Sequence, residues 1–142
     1  MSRSIDIFID GASRGNPGPS GIGVVFFDDN KKAVKKLFKF IGNGTNNVAE
    51  YTALIYGVQE ALIDKYENIT INSDSELLTR QLRGEYRVKN ENLKPFYEQF
   101  LHLSRGFSKI DVVSIPREQN KIADNLANKA VDSRIDSSLK TE

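Results

Sequence analysis

The first hydrophobic pattern in the chain has a period of two. Ile5, Ile7 and Ile9 alternate with Asp6 and Phe8, which predicts a strand ending at Asp10. The turn-forming cluster "GASRGNPGPSG" interrupts it, and "IGVVFFDD" resumes it as a second strand. "DDNKK" reads as a hairpin turn, and "AVKKLFKFIG" as a third strand whose lysines fall on a solvent face. Three strands on short connections predict an antiparallel meander.

The period then lengthens. After the loop and helix-start signal "GNGTNN", Val48, Tyr51, Ile55, Val58 and Leu62 recur at helical spacing to about Asp64. "NITINSD" is a short strand ending at Asp74, and "SELLTRQLRG" a helix closed by Gly84. "NLKPFYEQFLHLSRG" reads as another helix and "KIDVVSIP" as a strand. "EQNKIADNLANKAVDS" is a final helix with Ile122, Leu126 and Ala130 on one face. The order is βββαβααβα. Helical segments before the fourth and fifth strands are long enough to cross over to parallel strands. The expected fold is therefore α/β: a mixed five-stranded sheet, three antiparallel strands and then two parallel ones, with helices on both faces. Residues 1–134 are read as one domain, and the polar segment 135–142 as a frayed tail.

Composition narrows the function classes only slightly. The 142 residues carry a formal charge of +1, so any attraction for a polyanion must come from local arrangement. There are no cysteines, which removes disulfides, thiolate metal sites and a cysteine nucleophile. No apolar run is long enough for a membrane span and the amino terminus lacks a signal-like block, so a cytoplasmic protein without membrane association is expected. A monomer is the default.

Four carboxylates stand at element junctions. Asp10 ends the first strand, Glu50 lies in the first turn of the first long helix, Asp74 ends the fourth strand, and Asp124 is early in the last helix. Taken singly, each has an ordinary reading as a turn, cap or helix-dipole residue, Asp74 for instance as the cap of "SELLTRQL". In a sheet with helical crossovers, however, ligand sites gather beyond strand ends. Four carboxylates placed together repel and take up protons unless cations neutralise them. Oxygen-only donors, with no Cys and a single His, favour Mg²⁺ or Mn²⁺ over Zn²⁺. Two such ions about 4 Å apart form the clamp used for in-line attack on a phosphodiester. Spacing alone does not select these four acids from the nineteen in the chain.

A resemblance does select them. "IDGASRGNPGPSGIG", "TNNVAEYTAL", "INSDSELL" and "NKIADNLANKA" resemble, in order and spacing, the four signature segments of type 1 ribonuclease H. Together they cover about Ile7 to Ala130. The resemblance implies that Asp10, Glu50, Asp74 and Asp124 bind two Mg²⁺ ions, with Mn²⁺ as a substitute. It further implies an endonuclease that cuts the RNA strand of RNA/DNA hybrids, leaving 5′-phosphate and 3′-hydroxyl ends. Double-stranded RNA is a further candidate partner, and a non-catalytic hybrid or double-stranded RNA binder is the alternative. Concentrated negative charge where phosphates must lie argues against a pure binder.

By the same likeness, Gly11, Ala12, Ser13, Asn16, Thr45, Asn46, Asn47 and Glu76 fall on the substrate-binding side. The asparagine amides suit sugar hydroxyls and minor-groove edges, and Thr45 with Asn16 a phosphate of the DNA strand. The chain departs from the family pattern in three places. Glu76 stands where Gln is common. The segment "IPREQNKIAD" lacks the family's loop His, leaving Arg117 as its stand-in and Glu118 as a second candidate. A long basic insertion is absent, which predicts weaker hybrid affinity. Arg80, Arg83, Arg87, Lys89 and Lys94 around Tyr86 form the candidate phosphate-tracking surface. The only histidine, His102, lies away from all four segments and is assigned a surface or packing place.

Overall fold

The structure, a computed structural model, describes residues 3–134 and, for the backbone alone, 137–141. Strands β1 (Ser4–Ser13), β2 (Gly18–Phe27) and β3 (Ala33–Gly44) form the meander. Helix α1 (Asn46–Ile63) leads to β4 (Asn68–Ser73), and α2 (Glu76–Leu82) and α3 (Lys94–Ser104) lead to β5 (Lys109–Ser114). A 3₁₀ turn at Arg117–Gln119 precedes α4 (Lys121–Ser133). The sheet order is β5-β4-β1-β2-β3-β6, where β6 is Ser137–Thr141. β4 runs parallel to β1 and β5 parallel to β4, so the expected mixed core sheet is present.

The sheet departs from the sequence reading in two places. Asp10 does not end the first strand: β1 continues through Gly11↔Ile22, Ala12↔Gly21 and Ser13↔Ser20, so the turn shrinks to residues 14–17. Turn-type residues signalled a loop, yet the ladder persists because flanking helices need small residues there. The frayed tail is also corrected, since residues 137–141 pair antiparallel with β3 and cover its otherwise open edge. Positions 135, 136 and 142 of that expected tail lie outside the described residues.

Alternation along β1 and β2 divides the core between two helices. Ile5, Ile7 and Ile9 pack with Ile22, Val24 and Phe26 into one cluster with Tyr51, Leu54 and Val58 of α1. The opposite face receives α4, whose buried residues are Ala123, Ala127, Ala130 and Val131. The expected stripe of Ile122, Leu126 and Ala130 is thus rotated, and Ile122 is exposed. A contact between small residues sets this rotation: a Cβ at Gly23 would lie 2.1 Å from the carbonyl oxygen of Ala123, and one at Gly21 2.8 Å from that of Ala127. Alanines on glycines bring the two backbones together, whereas isoleucine there would hold them apart.

Candidate active site

Each of the four acids reaches one end of the sheet from a different element. Asp10 lies in β1 opposite Gly23, on the face that α4 covers. Glu50 comes from the first turns of α1, whose start is fixed by Thr45: its Oγ1 accepts from the Val48 N–H at 3.2 Å. Gly11 lets α1 approach, because a Cβ there would lie 2.4 Å from the backbone carbon of Ala49. Its N–H donates to Glu50 Oε1 at 3.2 Å. Asp74 follows β4, and Asp124 lies in the first turn of α4.

Asp74 is not the cap of α2. Ser75 performs that role, its hydroxyl accepting from the Leu78 N–H at 3.2 Å. The Asp74 carboxylate instead accepts from Asn120 Nδ2 at 3.0 Å, and the same amide donates to the Ile9 carbonyl at 2.9 Å. Asn120 is wholly buried, precedes α4, and so ties β1, Asp74 and the start of α4 together. It stood inside a quoted motif without a role. Its position at a helix start, four residues before Asp124, was the available signal.

Asp10, Glu50 and Asp74 present carboxylate oxygens within 4.8 Å of one another. With Asp124, Arg117, Asn46 and Asn47 they line a cleft of about 310 Å³. Asp10 and Glu50 are only 5% and 8% exposed, and Glu50 Oε2 is buried without a hydrogen-bond partner. Burial raises the pKa of Asp10 most, and Glu50, Asp124 and Asp74 raise it further. Burial likewise raises Glu50, against the neighbouring Asp10 carboxyl, the hydrogen bond from the Gly11 N–H and the charge of Arg117, which hold it down. An orphaned anionic oxygen among three other carboxylates fits a divalent cation with oxygen ligands.

Other predicted residues divide by position. Asn16 is exposed at the β1–β2 turn, and its Oδ1 accepts from the Asn46 N–H at 3.0 Å, joining that turn to the start of α1. Ser13 lies in the strand, and its hydroxyl donates to the Gly44 carbonyl at 2.8 Å. Ala12 pairs with Gly21 beside it. Glu76 is not among the residues lining the cleft and pairs with Arg80 at 3.0 Å. Arg117 lines the cleft but Glu118 does not. His102 is exposed in the last turn of α3, outside the cleft. The basic surface is partly neutralised: Arg80 and Arg83 meet Glu85, and Lys94 meets Glu91.

The Reverse transcriptase-like family model matches residues 8–130. Ribonuclease H1 from Halobacterium salinarum superposes with a TM-score of 0.89 at 35% identity, covering 92% of this chain and 98% of that one. The chain belongs to the ribonuclease H family. A second ribonuclease H neighbour, LC11-RNase H1 in complex with RNA/DNA hybrid, has a TM-score of 0.88 at 38% identity, covering 92% of this chain and 98% of that one. A bifunctional protein of Mycobacterium tuberculosis is 40% identical over 124 residues, which are 87% of this chain and 34% of that protein. This ribonuclease H chain therefore spans about a third of the length of that curated relative.

Proposed function

We propose that this chain is an endoribonuclease that hydrolyses the RNA strand of RNA/DNA hybrids with two divalent cations, Mg²⁺ or in its place Mn²⁺. The observation that carries the reading is the Asp10, Glu50 and Asp74 cluster with its buried, unpartnered Glu50 oxygen, opening on a cleft beside exposed asparagines. Asp10, Glu50, Asp74 and Asp124 would hold the cations. Such ions, when bound, supply charge neutralisation at the phosphodiester and a nucleophilic water at neutral pH.

The remaining work falls to the chain's own groups. Arg117, on the cleft wall, would steady a phosphate oxygen, since a guanidinium donates hydrogen bonds and does not serve as a base. Asn46 and Asn47 offer amides that both donate and accept, which a 2′-hydroxyl requires. Asn16 fixes the first turn of α1, from which those amides project. All four acids come from one chain, so a monomer suffices.

The test is cleavage of labelled hybrid, RNA duplex and DNA duplex, each with Mg²⁺, Mn²⁺ or chelator, beside Asp10→Asn and Asp74→Asn. Metal-dependent cutting of the RNA in hybrid, leaving 5′-phosphate ends and absent from both folded variants, is expected. Hybrid binding without cleavage at any metal concentration would turn the reading toward a non-catalytic binder. Undiminished cutting by both variants would remove the carboxylate site.

A further inference from the structure

Asp124 is the one acid of the four outside the group whose oxygens lie within 4.8 Å of one another. It lines the same cleft as the other three, reached from the first turn of α4. Its rotamer therefore matters, and a second residue of α4 fixes it. Asn128, one turn onward, donates from Nδ2 to the Asp124 carbonyl at 2.9 Å and to its carboxylate Oδ1 at 3.1 Å. Asn128 Oδ1 accepts from Arg14 Nη1 at 2.7 Å, and Arg14 Nη2 meets Asp132 Oδ1 at 2.5 Å. Asn128 and Asp132 are four apart on α4, so the two arms of one guanidinium fork span a single helical turn.

The amide's orientation follows from chemistry. Arginine only donates and an ionised carboxylate only accepts. An asparagine amide lodged between them has one satisfactory orientation, with oxygen toward Arg14 and nitrogen toward Asp124. The guanidinium charge also polarises the amide and strengthens its N–H donors. The fork comes from the β1–β2 turn, where the Arg14 N–H donates to the Pro19 carbonyl at 2.8 Å and Asn16 holds the start of α1. The turn thus reaches α1 through Asn16 and Asp124 through Arg14 and Asn128.

We propose that Asn128, oriented by Arg14, is the positioning residue for Asp124, and that placement of the fourth carboxylate depends through Arg14 on the β1–β2 turn. This rests on the reading of Asp124 as a metal ligand in a hybrid-cutting enzyme. A group holding a metal ligand by hydrogen bond typically contributes about 10- to 100-fold in metal affinity or activity.

Two readouts separate this proposal from the functional one. Calorimetric titration of Mn²⁺ into the protein without nucleic acid is expected to show at least about tenfold weaker binding in Asn128→Ala. On hybrid, kcat is expected to fall by a similar factor with KM within about twofold, and added Mg²⁺ to restore part of it. Asn128→Asp keeps the shape and the Arg14 partner but cannot donate to Asp124; its kcat falls as well, which a packing role would not cause. Arg14→Ala is expected to cost about threefold alone and nothing further in the Asn128→Ala background, since both act on one carboxylate. Wild-type kcat in folded Asn128→Asp, or full additivity of Arg14→Ala with Asn128→Ala, would overturn the proposal. If wild-type protein binds Mn²⁺ but leaves hybrid intact, the functional reading fails while the titration still decides the role of Asn128. Absence of Mn²⁺ binding in wild type would overturn both.

Discussion

Asp10 and Glu50 are buried close together with Asp74 beside them, so replacing Asp10 with Asn is expected to stabilise the metal-free protein. The variant is neutral in both folded and unfolded states, so it folds without taking up a proton there, and it places a donor beside Glu50. Folding raises Asp10 to about 10 and Glu50 to about 7, so the native state binds a proton that the unfolded chain has released. For raised carboxylates, stability is complete below the unfolded value near 4 and is lost as pH climbs toward the folded values. Each pH unit in that window is worth about 1.4 kcal/mol per group, so four units set a ceiling near ~6 kcal/mol for Asp10 at pH 8. One proton shared with Glu50, together with local relaxation, brings the expected gain to about 2–4 kcal/mol. At roughly 3 °C per kcal/mol for a domain of this size, Asp10→Asn is expected to melt about 6–12 °C higher at pH 8. Thermal denaturation in chelator from pH 5 to pH 9 is the assay, read as the difference between variant and wild type so that other carboxylates cancel. The difference should grow with pH, and Mg²⁺ should shrink it by stabilising the wild type alone. A variant no more stable than wild type at pH 8, or a gain equal at pH 5 and pH 9, would refute the electrostatic reasoning.

Asn120→Ala strips two bonds from a buried junction and is expected to cost about 1–3 kcal/mol in urea denaturation, with at least a tenfold fall in kcat on hybrid because Asp74 loses its anchor. Gly23→Ala drives a methyl to 2.1 Å from the Ala123 carbonyl and is expected to cost about 3 kcal/mol or more. Gly57→Ala meets only side-chain methyls, Ile7 Cγ2 at 3.1 Å, Val24 Cγ1 at 3.4 Å and Ile9 Cγ2 at 3.5 Å, and thermal melts should place it within about 1 kcal/mol of wild type. On the basic surface, Arg87 and Lys89 are exposed and outside the ion pairs found among the described residues. Replacing either with Ala should reduce the slope of log affinity for hybrid against log salt by about 1, while Arg80→Ala, already paired with Glu76 and Glu85, should change it less.

Much of the fold was legible because periodicity reports which face of an element is buried. The two β1 patterns, Ile5-Ile7-Ile9 and its interleaved partner set, gave the strand, and the spacing of Tyr51, Ile55 and Val58 gave α1. What periodicity could not show is how closely an element is approached. Leucine and isoleucine in the last helix drew the expected stripe toward Ile122 and Leu126, but the sheet presents Gly21 and Gly23 at that point and selects alanines. The same blindness placed a loop at Gly11, where the strand continues. Residues 137–141 were illegible for a different reason: Ser-Ser-Leu-Lys-Thr carries no pattern of its own, and its strand exists through the open edge of β3.

The candidate site was legible as a set of acids but not as an assembly, because its geometry is set by residues with almost no side chain. Alternation sends Ile9 to the α1 core and Asp10 to the α4 face, so neither helix alone could surround Asp10. Gly11 admits the backbone of α1 on one side, and Gly23, directly across the ladder from Asp10, admits α4 on the other. Glu50 and Asp124 then flank Asp10 only because both helices sit a side chain's thickness closer than ordinary strand residues allow. The distance between the acids is therefore a steric property of two glycines as much as a property of the acids. A methyl group at Gly11 or Gly23 would separate Glu50 or Asp124 from Asp10 without altering a single carboxylate, and should weaken Mn²⁺ binding in whatever fraction of the variant still folds.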